Sequence, residues 1–138
     1  MGLTAKNDLA QKPPLPIRIL IADDSPDMRR SIRSLLERKP GWEVCGEASN
    51  GQEAIDSAMK LTPDIIVMDL VMPVMDGLQA ARKIAVIAPK IPTVMLTMYA
   101  SEQLAAEASS AGVRTVLSKG ESSAIINTIE TLLRKQPN

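Results

Sequence analysis

The chain has 138 residues, the size of one domain, and its 16 basic and 16 acidic residues cancel, which removes any bulk electrostatic case for nucleic acid or an anionic membrane. Histidine and phenylalanine are absent, and Trp42 and Tyr99 are the only large aromatics, so imidazole acid/base chemistry, the usual zinc sites and a base-stacking platform are excluded. The single cysteine, Cys45, cannot close an internal disulfide, and with no apolar run near about 18 residues and no charged-then-apolar leader the expectation is a cytoplasmic protein without a membrane span.

Residues 1–16 are polar and end in Lys12-Pro13-Pro14-Leu15-Pro16, with no periodic apolar face, and read as an N-terminal tail. Ile17–Ala22 is a first strand, followed at once by Asp23-Asp24-Ser25-Pro26. Ser25 as N-cap and Pro26 at the first helical position open a helix with Met28, Ile32, Leu35 and Leu36 on one face. Pro40-Gly41 stops it, and 42–48 alternates loosely as a second strand in which Cys45 reads as a small core residue. Asn50-Gly51 turns the chain into a short helix with Ala54, Ile55, Ala58 and Met59 inward.

Between Asp64 and Asp69 lie four apolar residues, Ile65-Ile66-Val67-Met68, a short strand buried on both faces with Asp69 where it runs out. A helix over 78–87 follows Asp76-Gly77, and 92–97 is the fourth strand, ending in Thr97. The helix over 101–110 has few large apolar residues and is expected to be the least firmly anchored. The fifth strand, 113–118, is closed by Lys119. A last helix carries Ile125, Ile126, Ile129, Leu132 and Leu133 on one broad face, assigned to the core. Residues 136–138 read as a C-terminal tail or the start of a linker, which leaves 17–135 as the domain. Met28, Met59, Met68 and Met95 are assigned to packing, whereas Met72, Met75 and Met98 border the strand ends.

Five strands alternating with five helices predict an α/β, doubly wound, five-stranded parallel sheet of flavodoxin type. All strands of such a sheet end at one edge, so Asp23, Asp24, Asp69, Thr97 and Lys119, each directly after or at the close of a strand, converge there. Taken singly, Asp23-Asp24 reads as a cap and turn pair, Thr97 as an ordinary strand residue and Lys119 as a solvated charge. Their joint placement carries the functional reading. Three carboxylates in one crevice repel unless a cation is present, and Mg²⁺, a hard oxygen-seeking ion often shared between carboxylates and phosphate, resolves the conflict. Lys119 and the Thr97 hydroxyl supply a charge and a donor for phosphoryl oxygens. No nucleotide-binding glycine loop is present, so a phosphoryl donor must come from outside.

The runs Leu20-Ile21-Ala22-Asp23-Asp24, Met68-Asp69-Leu70-Val71-Met72-Pro73-Val74-Met75-Asp76-Gly77, Leu96-Thr97 and Leu117-Ser118-Lys119 resemble the response-regulator receiver domain of two-component signalling. The resemblance implies that Asp69 accepts a phosphoryl group from a phosphohistidine on a sensor histidine kinase or phosphotransfer protein. It further implies that Asp24, Asp69 and the Val71 carbonyl ligate Mg²⁺ directly, that Asp23 acts through water, and that Thr97 and Lys119 bind the phosphoryl oxygens. Such a protein is a self-modifying switch rather than an enzyme acting on other substrates. Arg29, Arg30 and Arg33 are either a solvated face or, as the family implies, part of the surface that docks the kinase helix.

Two positions depart from the usual pattern. Val116 stands where receivers carry a mobile Tyr or Phe, which raises Tyr99 as a substitute and a constitutive, phosphorylation-independent interaction module as the alternative function. Gly120 stands where proline commonly follows the lysine; with Leu96-Thr97-Met98-Tyr99 this is similar to receivers attached to LuxR-type helix-turn-helix domains, which implies transcription regulation through a C-terminal DNA-binding domain, with no direct nucleic-acid binding by this segment. Whether the chain is a stand-alone regulator or a fragment, and whether it forms a homodimer, stays open. The same resemblance implies that Val71 and Tyr99 flank the path of an attacking water; neither serves as a base at neutral pH, so slow self-dephosphorylation is expected.

Overall fold

A computed structural model describes residues 15–135; of the two predicted tails only Leu15 and Pro16 fall among the described residues. In chain order the elements are β1 (Ile17–Ala22), α1 (Pro26–Glu37), β2 (Trp42–Ala48), α2 (Gly51–Leu61), β3 (Ile65–Met68), α3 (Gly77–Ile87), β4 (Thr93–Thr97), α4 (Glu102–Ser110), β5 (Thr115–Ser118) and α5 (Ile125–Arg134), with a 3₁₀ stretch over Lys119–Ala124 leading into α5. The strands form one sheet in the order β2-β1-β3-β4-β5, every pair parallel. The chain winds outward from β1 to β2 and then back past β1 to β3, so the direction reverses between β1 and β3, and a crevice opens at the carboxyl ends of that pair. The predicted fold class holds.

Strand alternation sorts the core into two layers. Ile19, Ile21, Ile65, Val67, Val94 and Leu96 pack with Ile32 and Leu36 of α1 and Ile125 and Ile129 of α5. Leu20, Ala22, Ile66, Met68 and Met95 pack with α2, α3 and α4, largely through Ala54, Ala58, Ala80, Ala81 and Ala108. The three central strands are almost entirely buried, and each fully buried Ile or Leu contributes about 1.5–3 kcal/mol to folding. Ile126, Leu132 and Leu133 are partly buried against the α1/α5 layer, so the broad apolar face of α5 serves the core, as expected. Among the described residues no helix is long and apolar enough to cross a membrane.

Several local expectations are corrected. Met59 is 54% exposed: α2 and α3 share a core built on Ala54, Ala58, Ala80 and Ala81, and Met59, at the margin of the α2 stripe, lies outside that alanine contact. Met28, by contrast, packs against the α1/α5 layer as expected, although only partly buried. Asn50-Gly51 does turn the chain into α2, with Asn50 as the N-cap, its side chain accepting the Glu53 amide at 2.8 Å. The fifth strand begins at Thr115, and Lys119 opens the 3₁₀ stretch instead of closing the strand. Cys45 is half-buried, in the register shift where Ile19 pairs with Val44 but Leu20 pairs with Gly46. Burial raises its thiol pKa above the ordinary value, so it stays protonated and unreactive at neutral pH.

Candidate functional site

Register delivers the acids. Ala22 pairs with Met68 across β1 and β3, so the next residues of the two strands, Asp23 and Asp69, reach the crevice together. Their backbones continue the ladder: the Asp23 amide donates to the Ala48 carbonyl at 3.0 Å and the Asp69 amide to the Ala22 carbonyl at 2.9 Å. On the other side Thr97 pairs with Ser118, which brings Lys119 into the same edge. Its ammonium lies 2.8 Å from Asp23 Oδ2 and 3.1 Å from Asp69 Oδ2. Carboxylate oxygens of Asp23, Asp24 and Asp69 lie within 4.8 Å of one another. Asp23 is sealed at 1% exposure and Asp69 nearly so at 6%, while Asp24 faces solvent.

Each buried carboxylate is pinned by one oxygen. Asp23 Oδ1 accepts the Ser25 amide at 2.9 Å, and Asp69 Oδ1 accepts the Leu70 amide at 2.8 Å. Asp69 Oδ2 takes the directed hydrogen bond from Lys119. Asp23 Oδ2 is fully buried with only the charge contact to that ammonium and no aligned hydrogen bond. Burial pushes the Asp69 carboxyl pKa up; Lys119 opposes this and the Asp23 charge adds to it. Burial works against the charge on Lys119, yet Asp23 and Asp69 together outweigh it and hold the lysine pKa above its ordinary value. One lysine is thus shared between two buried acids, which leaves an excess negative charge, while a third acid waits at the rim. An all-oxygen cluster with an unsatisfied buried oxygen suits a hard divalent cation such as Mg²⁺ and offers nothing to a soft one.

The remaining sequence-selected residues divide. Thr97 is fully buried at the end of β4, and its Oγ1 accepts the Tyr99 amide at 3.2 Å. Val71 and Tyr99 are 54% and 64% exposed at the mouth. Val116 is half-buried and packs into the α2–α4 layer. The arginines of α1 turn out not to be a free row. Arg29 and Arg33 both pair with Glu47, at 2.8 and 2.7 Å, and Arg30 pairs with Asp27 at 3.1 Å. Arg29 also donates to the Asp23 carbonyl at 2.7 Å, tying β2, α1 and the acidic loop together. Sequence reasoning missed Glu47, because its role depends on the shifted β1–β2 register rather than on local pattern.

Gly77 sets how close α3 comes to the site. Its amide donates to the Leu70 carbonyl at 2.7 Å, and a Cβ built there would overlap the Asp69 carbonyl oxygen. Asp76 caps the helix in a reciprocal box with Gln79. The Gly77→Ala variant is expected to lose about 3 kcal/mol or more, since the obstruction is backbone and cannot rotate away. Urea denaturation measures this, and a loss below about 1 kcal/mol would show that α3 can move aside freely.

Residues 19–130 match the family described as the response regulator receiver domain. A protein-glutamate methylesterase/protein-glutamine glutaminase from Methanosarcina mazei is 45% identical over 117 residues, covering 83% of this chain and 32% of that protein. The chemotaxis protein CheY of Thermotoga maritima is 36% identical over 102 residues, covering 74% of this chain and 84% of CheY. The chain therefore spans about a third of the methylesterase and most of CheY. Among solved structures, a LuxR-family two-component response regulator from Aurantimonas superposes with a TM-score of 0.84 at 33% identity, over 88% of this chain and 87% of that one. The response regulator domain of Thermotoga maritima CheB gives 0.82 at 26% identity, over 88% and 99%.

Proposed function

The chain belongs to the response regulator receiver domain family of two-component systems, and we propose that it works as a Mg²⁺-dependent phosphoacceptor switch with Asp69 as the acceptor. The observation that carries this reading is Lys119 bridging Asp23 and Asp69, beside a buried Asp23 oxygen left without a hydrogen bond. Asp23, Asp24 and Asp69, with the Val71 carbonyl, would hold the ion. When bound, Mg²⁺ supplies positive charge for the transferring phosphoryl oxygens.

The chain's own residues do the rest. The Leu70 amide fixes Asp69 Oδ1, leaving Oδ2 as the attacking atom once Lys119 swings to the incoming phosphoryl oxygens. A bond forms from Asp69 to phosphorus as the bond from phosphorus to the donor's imidazole nitrogen breaks, and the imidazole leaves with that electron pair. Thr97 is one strand over, and its hydroxyl would donate to a phosphoryl oxygen, drawing the loop after β4 toward Asp69. The added charge, about −1.5 to −2, then reshapes the surface around that loop and α4. The phosphoryl donor is a sensor histidine kinase or phosphotransfer protein. The output is a separate partner or domain; similarity to a LuxR-family regulator favours a DNA-binding one, and similarity to the methylesterases favours a chemotaxis effector. Two-component systems of either kind work in the cytoplasm, and a homodimer is one form the switched state can take.

Intact mass after incubation with acetyl phosphate tests the reading. One phosphate per chain is expected with Mg²⁺ and none with EDTA; no adduct under any condition would overturn it. The adduct should be long-lived, because the exposed Val71 and Tyr99 flank the water's approach and neither is a base. Val71→Asn, which offers an amide to orient water, is expected to shorten the lifetime about tenfold, followed as decay of the adduct mass. An unchanged lifetime would remove Val71 from that role.

A second reading has one observation in its favour. Val116 packs into the core as a β-branched residue with a single preferred rotamer, so no ring is available there to swing inward with Thr97. On this reading the domain binds its partner whether or not Asp69 is phosphorylated. Beryllium fluoride, a phosphoryl analogue, discriminates: amide NMR shifts spreading from Asp69 to α4 support the switch, and shifts confined to the crevice support the constitutive module.

A further inference from the structure

The exposed large apolar residues fall into two groups apart from Leu15. Val71, Val74, Met98 and Tyr99 lie in the loops that follow β3 and β4, whereas Met59, Val86 and Ile87 lie on α2 and α3, and the phosphoacceptor chemistry gives the second group no role. A trough of about 470 Å³ runs between these two helices, lined by Ile55, Arg82, Lys83, Val86 and Ile87. Met59 follows one turn after Ile55. On α3 the four lining residues recur at helical spacing within one face. Val86 is 80% exposed and Ile87 45%, an unusual display for residues of this kind beside a trough.

Charge says what the trough suits. Arg82 and Lys83 are both exposed and have no carboxylate or other polar partner among the described residues. The arginines of α1, by contrast, are all engaged by acids. Apolar lining with unneutralised cations along one wall complements a segment that is apolar on one face and acidic on its flank. α2 and α3 have 11 residues each, about 16 Å of helix, which matches about three turns of a docked helix. We propose that the α2–α3 trough is a docking site for an acidic amphipathic helix of a partner protein, separate from the phosphorylation crevice. Ile55, Met59, Val86 and Ile87 take the apolar face; Arg82 and Lys83 take the carboxylates and set orientation.

The probe is a synthetic peptide of about 15 residues with Leu along one face and Glu on its flank, beside a control with Lys in place of every Glu. Binding is followed by fluorescence anisotropy and mapped by backbone amide NMR on the intact chain. The acidic peptide is expected to shift the amides of α2 and α3, and the basic one to bind at least about tenfold more weakly. The Arg82→Glu/Lys83→Glu variant should reverse that preference, and Val86→Glu should weaken both peptides; all three positions are exposed, and the amide spectrum checks that the fold persists. Equal binding of the two peptides, shifts mapping to the Val71–Tyr99 rim, or no binding would overturn the proposal. So would a concentration-dependent dimer abolished by Val86→Glu, which would assign the trough to a second copy of the chain.

Discussion

Asp69→Ala is expected to yield no phosphate adduct at all with acetyl phosphate and Mg²⁺, while folding as well as the wild type. Neither neighbouring acid can take over. Asp23 is sealed from solvent, with one oxygen committed to the Ser25 amide and the other held against Lys119. Asp24 is exposed and makes no contact with Lys119, so it lacks the cation that neutralises charge building on the phosphoryl oxygens. Folding is preserved because the variant removes one of two buried negative charges that share a single ammonium, and the remaining Asp23–Lys119 pair is balanced. Intact mass reads the first expectation and a urea melt the second. A residual adduct that maps to Asp23 or Asp24 by peptide mass would refute the assignment of Asp69.

Lys119→Met should destabilise the fold strongly. The variant leaves Asp23 and Asp69 buried without their cation, a loss of about 3 kcal/mol without added metal. Two dependences identify the cause. Lysine's raised pKa means its charge is complete throughout the neutral range and fades only at high alkaline pH, so wild-type stability should be insensitive to this group near pH 7. In the variant native Asp69, whose pKa burial raises already in the wild type, binds a proton more readily than it does in the unfolded chain; stability therefore rises as pH falls through that raised pKa, and the deficit shrinks. Mg²⁺ should likewise stabilise the variant more than the wild type, since it meets carboxylates with no competing ammonium. Equal stabilisation of the two proteins would mean that the ion does not bind at these carboxylates.

The sheet and its crevice were legible because their signals are local and redundant. Each of Asp23, Asp69 and Thr97 stands at or directly after the end of an apolar run, and a parallel sheet brings such ends to one edge whatever the helices do. What was not legible depended on distances between elements. The exposure of Met59 follows from the alanine contact between α2 and α3, which helical periodicity alone does not contain. The Arg29–Glu47–Arg33 cluster follows from a one-residue slip of β2 against β1. The 3₁₀ stretch after Ser118 lacks an apolar period of its own, and Lys119 was therefore read as the close of a strand. In the sequence Gly77 only precedes a helix over 78–87; the nearness of the Asp69 carbonyl shows why a methyl group is not tolerated there.

The unequal make-up of the two core layers bears on how the molecule breathes. On the α1/α5 side, Ile32, Leu36, Ile125 and Ile129 each give up a large apolar surface when their helix leaves the sheet, so those amides should exchange with solvent deuterium only by unfolding of the whole domain. α4 is held by Leu104 and Ala108 as its only buried residues, and lifting it exposes little. Its amides should exchange through a partial opening that leaves β1, β3 and α5 intact, at a free energy well below that of global unfolding. The acids and the lysine then sit on the slow-exchanging part, and the helix beside Thr97 is the first to come away.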